Sequence, residues 1–94
     1  EFIGGTAALM KYLSSNIKYP TISQETGSQG KVIVQFVVDK DGTISNPEVV
    51  RGVDPYLDKE AIRVISSMPK WTPGVQNGKK VRVKFTVPVS FRLQ

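Results

Sequence analysis

The sequence predicts an α+β fold: a two-layer sandwich, helix–strand–strand–helix–strand, with two helices packed on one face of a three-stranded sheet. Three observations carry that expectation. Residues 81–93 alternate apolar and polar side chains without a break, two segments repeat apolar residues at helical spacing, and Val outnumbers Ala thirteen to three. Periodicity separates strand from helix, and β-branched side chains suit a pleated, half-buried surface. At 94 residues the chain has the size of one domain, 1–94, since compact domains usually hold ~100–150 residues.

The first helix is expected over Ala7–Ile17, where Leu9, Leu13 and Ile17 recur every fourth residue beside Tyr12; Thr6 or Gly5 is its candidate N-cap. Tyr19-Pro20 then forces extended backbone, because the proline ring disfavours helix at the residue before it. Lys31–Asp39 reads as a strand with Val32, Val34, Phe36 and Val38 on one face and Ile33 and Val37 on the other. Apolar on both sides, it belongs inside the sheet. Asp39-Lys40-Asp41-Gly42 is a turn. The strand that returns, Thr43–Arg51, contains Pro47 and shifts its apolar phase between Ile44 and Val49-Val50, so it is an edge strand with a bulge.

Asp54-Pro55 starts the second helix, a cap acceptor followed by proline at the first helical position. Leu57, Ala61, Val64, Ile65 and Met68 form its buried stripe, Asp58 and Glu60 lie toward its positive end, and Pro69 stops it. Lys70–Lys80 reads as a loop carrying the only Trp and a Gln-Asn-Gly turn signal. The final strand, Val81–Leu93, puts Val81, Val83, Phe85, Val87, Val89, Phe91 and Leu93 on a single face.

Composition excludes much chemistry. The chain has no His and no Cys, which removes the commonest general acid–base, the thiol nucleophile, disulfides and nearly all zinc and iron–sulfur sites. Asp39-x-Asp41 resembles the start of a calcium loop, but Ile44 and Val50 stand where that loop needs Gly and Glu. No catalytic residue, metal ligand or cofactor site is assigned, and no enzyme is expected. The longest apolar run, Ala7–Met10, is far short of the ~20 residues of a membrane span. A chain opening on Glu1 reads as a domain cut from a longer protein.

The net charge is +5, and Lys79, Lys80, Arg82, Lys84 and Arg92 concentrate on or just before the exposed face of the last strand. Nucleic acid is disfavoured as a partner, because a platform for bases needs exposed aromatics while Phe85 and Phe91 share the parity of the core valines. An acidic peptide or receptor surface suits the charge better. Pro88 adds geometry. If its missing N–H faces away from the sheet, the even-numbered residues Arg82, Lys84, Thr86, Ser90 and Arg92 present an open edge, a template for an added strand. A bulge at Pro88 is the competing explanation.

These residues together resemble the C-terminal domain of the TonB energy-transducer family. The resemblance is carried by Gly4-Gly5 before a short helix, Tyr19-Pro20, Gly30-Lys31-Val32 and Asp41-Gly42. It continues with Leu57-Asp58-x-Glu60-Ala61, Met68-Pro69-x-Trp71-x-Pro73-Gly74 and Val87-Pro88-Val89-x-Phe91. The Phe2-x-Gly4-Gly5 opening and the Met-Pro-x-Trp stretch look most like Bacteroides-type versions. The resemblance implies a TonB/TolA C-terminal-domain-like fold with the sheet order second, first, third strand. It also implies a periplasmic domain of a protein anchored in the inner membrane by an N-terminal helix. Such a protein would be driven by the ExbB–ExbD complex and coupled to outer-membrane receptors that import siderophores, cobalamin or glycans.

The receptor's TonB box would add beside the last strand. Carried onto this sequence, the contacts are Arg82, Val83, Lys84, Phe85, Thr86, Val87, Ser90 and Arg92, with a second contact over Asn16, Ile17, Lys18, Tyr19 and Pro20. Two further expectations stand beside this one: a homodimer by strand exchange, and the same domain as a sensory or scaffold appendage of a membrane metallopeptidase of antibiotic-sensor type.

Overall fold

Val32, Val34, Phe36 and Val38 are fully buried, and they set the core face of the central strand, β1 (Gly30–Val38). The computed structural model describes residues 1–93. Around β1 the secondary structure runs α1 (Gly5–Asn16), α2 (Thr21–Glu25), β1, β2 (Ile44–Arg51), α3 (Pro55–Ser66), β3 (Gly74–Gln76), β4 (Lys79–Val81) and β5 (Val83–Phe91). The main sheet has the order β2-β1-β5, with both neighbours antiparallel to β1. Helix-borne Leu9, Leu13, Leu57, Ala61, Val64 and Ile65 bury against its core face, giving the expected two layers.

The two outer strands differ. β2 meets β1 with two register shifts, and Asn46 takes a φ of 50° beside Pro47, as a bulged edge strand should. β5 meets β1 in unbroken register from Gly30↔Phe91 to Val38↔Val83, straight through Ile33↔Pro88. There is no bulge at Pro88.

α3 begins as expected: the Asp54 carboxylate accepts from the Leu57 N–H at 2.7 Å, with Pro55 at the first position. α1 departs from expectation at both ends. It starts at Gly5 with Gly4 as a cap that offers no side chain, so Thr6 lies inside the helix. Gly4 sits at φ 92°, and a Cβ there would come within 2.8 Å of the Ala8 Cβ. That left-handed turn folds the chain back so that Phe2 reaches the core. Ile17 is already extended, although its N–H still bonds the Leu13 carbonyl at 3.0 Å.

Three short elements were not anticipated. α2 follows Pro20 and has no apolar stripe; its buried Ser23 donates to the Asp54 carboxylate at 3.0 Å. The expected loop Lys70–Lys80 instead holds the β3–β4 hairpin, closed by Asn77 and Gly78 at φ 53° and 75°, the positive values a two-residue hairpin turn requires. The expected single strand Val81–Leu93 is divided between β4 and β5, with Arg82 in neither pairing, and ends at Phe91.

Trp71 closes the end of the core. It is 4% exposed, with its ring 5.1 Å from Phe36, 5.0 Å from Phe85 and 5.8 Å from Phe2, centroid to centroid. Its backbone N–H bonds the Gly42 carbonyl at 2.8 Å. Gly42 lies at φ 87°, and a Cβ on it would sit 2.2 Å from the Trp71 carbonyl oxygen, so only glycine lets the β1–β2 turn pack here.

Candidate functional site

β5 pairs with β1 on one side and with no other strand among the described residues. Its opposite edge follows from parity. Antiparallel pairs alternate between those that exchange both hydrogen bonds and those that exchange none. Pro88 has no N–H yet sits opposite Ile33 in unbroken register, so Ile33–Pro88 is a pair that exchanges none. The even-numbered residues therefore turn their backbone outward, and the odd ones bond to β1.

Lys84, Thr86, Ser90 and Arg92 are exposed, while Val87, Val89 and Phe91 are buried and Val83 and Phe85 half-buried. Arg82 is exposed too; it pairs with Asp39 at 2.9 Å. Beside the edge a groove of about 270 Å³ runs between β5 and the start of α1, with Phe2, Leu9, Met10, Trp71, Phe85 and Val87 among its walls. A strand added to β5 would have backbone to bond on one side and apolar walls for every second side chain.

The stretch Asn16–Pro20 lies at the far end of this edge. The Tyr19 ring stands edge-on to Phe91, centroids 5.6 Å apart, and its hydroxyl donates to the Ser28 carbonyl. Asn16 turns its amide back to the Tyr12 carbonyl at 2.8 Å, so that side chain is engaged within its own helix. Lys18 donates its backbone N–H to Glu60 at 2.6 Å, and Arg63 reaches the Asn16 carbonyl at 2.9 Å. Ile17 is half-buried against the core, and Pro20 caps α2 in extended conformation. The fold thus brings the second stretch to the Phe91 end of β5, through Tyr19, while Arg82–Val87 lie toward the other end of the strand.

Sequence reasoning missed the group that holds the second stretch. Glu60 is 9% exposed. Burial alone would raise its pKa, but the Arg63 guanidinium and the Lys18 N–H hold the carboxyl below its usual value. Arg63 meets it through two nitrogens at 2.6 and 2.7 Å. The i, i+3 spacing of Glu60 and Arg63 was visible; that the pair also clamps a segment 42 positions away was not. Among the described residues no group of three or more acidic side chains gathers as a metal ion would need. What the arrangement offers is backbone pairing and charge.

The family described as Gram-negative bacterial TonB protein C-terminal matches residues 15–93. The chain belongs to the TonB C-terminal domain family. Protein TonB of Haemophilus influenzae is 33% identical over 91 residues, covering 93% of this chain and 34% of that protein. Protein TonB of Helicobacter pylori is 26% identical over 83 residues, covering 87% of this chain and 28% of that protein. The chain therefore spans about a third of the length of these curated relatives.

The NMR solution structure of the Helicobacter pylori TonB-CTD, residues 194–285, superposes with a TM-score of 0.70 at 24% identity, over 92% of this chain and 90% of that one. A longer form of the same domain, residues 179–285, gives 0.60 at 25% identity over 89% and 78%. The α+β architecture is thus that of solved TonB C-terminal domains.

Proposed function

We propose that this domain is the non-enzymatic, periplasmic receptor-binding end of a TonB-type energy transducer, and that it takes the TonB box of outer-membrane receptors as an added strand along β5. The observation that carries this reading is the one-sided register of β5, open along its even-numbered residues and continuous through Pro88. The other outer strand, β2, is interrupted twice, so it is the poorer template. Main-chain bonding lets one edge serve boxes with different side chains. A short added strand buries less than the ~1,200 Å² of a stable interface, which suits a contact that must let go.

In the full-length protein, an inner-membrane helix outside the present sequence would anchor the domain and meet ExbB–ExbD. The force so delivered would drive uptake of a siderophore, cobalamin or a glycan. No described helix is long and apolar enough to cross a membrane. Asn16–Pro20 would make the second contact, which its position beside Phe91 supports. A second copy exchanging strands is the competing occupant of the edge.

Solution NMR titration of the labelled domain with TonB-box peptides tests the proposal. Shifts confined to residues 82–92 and 16–20 are expected. Shifts centred on β2, or none with any box peptide while light scattering shows a concentration-dependent dimer, would overturn it.

A further inference from the structure

The β3–β4 hairpin is explained neither by the core nor by the open edge of β5. Among the described residues β3 pairs with β4 alone, Val75 is 66% exposed, and the Cα trace measures 50 × 22 × 16 Å. Parity places the hairpin. The two-residue turn Asn77-Gly78 makes Gln76↔Lys79 the closing hydrogen-bonded pair, so Gly74↔Val81 is the next such pair. Odd residues of β4 therefore bond to β3, as odd residues of β5 bond to β1. The burial alternation continues from 81 to 85, so one pleat runs through Arg82.

β3 consequently lies on the same side of this long strand as β1 and takes over where β1 stops. Val38↔Val83 is the last pair with β1, and Gly74↔Val81 is the first with β3. Arg82 stands at the handover, paired with Asp39 at 2.9 Å. Gly74 fits there because it lacks a Cβ, which would come 2.6 Å from a Val83 methyl.

We infer that the hairpin lengthens the strand-accepting edge from Val83–Phe91 to Lys79–Phe91, and that the added section selects partner segments with carboxylates at the end lying over it. The inference rests on the strand addition proposed for β5. Lys79, Lys80 and Lys84 are exposed, and none has an ion-pair partner among the described residues. Lys80 carries its backbone N–H and C=O on the outward, even-numbered set. An extended acidic peptide meets both requirements at once, bonding through its main chain and pairing carboxylates on alternate residues with Lys80 and Lys84, which share a face.

The test compares one TonB-box peptide with versions extended at either end by Asp-Thr-Asp-Thr or by Lys-Thr-Lys-Thr. One aspartate extension is expected to tighten binding about fivefold, with new shifts at Lys80 and Arg82, and the lysine extension at that end to weaken it. Lys80→Pro removes both an outward N–H and one of these ammonium groups while sparing the bonds between β3 and β4, so it should abolish much of that gain and leave the unextended peptide unaffected. If the unextended peptide binds and neither aspartate extension tightens binding or perturbs the hairpin, the inference is wrong. If the unextended peptide itself does not bind, the failure lies with strand addition, and both readings fall.

Discussion

A buried carboxylate costs stability unless donors surround it, and Glu60 finds three: the Lys18 N–H at 2.6 Å and two Arg63 nitrogens at 2.6 and 2.7 Å. Removing it leaves the Lys18 N–H without a partner. Glu60→Ala should therefore cost about 1–3 kcal/mol in urea unfolding at neutral pH. The pH dependence has a definite sign. The carboxyl pKa is lowered in the fold, so its contribution is complete above the unfolded value near ~4.3 and is lost as pH falls through the folded one. Asp41 and Asp54 are also lowered, so the diagnostic quantity is the difference between wild type and Glu60→Gln. That difference should shrink when unfolding is repeated in acid; a gap that stayed constant with pH would mean that Glu60 acts by packing alone.

At the scale of the element, β5 makes a claim that two neighbouring substitutions separate. Thr86→Pro deletes an outward N–H, as Pro88 already does, and should leave unfolding nearly unchanged while abolishing box-peptide binding. Val87→Pro deletes a bond to β1 and should destabilise the domain by roughly 3 kcal/mol. Equal destabilisation by both would contradict the parity. The same scale shows what sequence can carry. β1, β5 and α3 were legible because each repeats its apolar residues over nine or more positions. α2 was not, since it has five residues and is held by Pro20 and a Ser23–Asp54 hydrogen bond. β3 and β4 have three residues each, too few to show a period; Asn77-Gly78 announced their turn, but the polar Gln76, Lys79 and Lys80 hid the strands.

For the whole molecule, the question is how one small domain keeps a sheet edge available without pairing indiscriminately. Its two edges are treated differently: β2 is broken by register shifts around Asn46 and Pro47, whereas β5 is continuous and lined with exposed cations. Like charge discourages edge-to-edge contact between copies. Pro88 marks the candidate edge within the sequence itself, because a missing N–H is harmless in a regular ladder only where it faces away from the neighbouring strand. The clustering of Asn16–Pro20 with the end of β5 was not readable from local pattern, since it depends on Tyr19 meeting Phe91 and on Glu60 reaching Lys18 across the fold. Amide hydrogen exchange of the domain, free and with a TonB-box peptide, tests strand addition most directly. The Val83, Phe85, Val87 and Val89 amides should be protected in both states, and those of Lys84, Thr86 and Ser90 should exchange quickly in the free domain and become protected on binding. Peptide-induced protection that falls on β2, or that leaves Lys84, Thr86 and Ser90 unprotected, would contradict it.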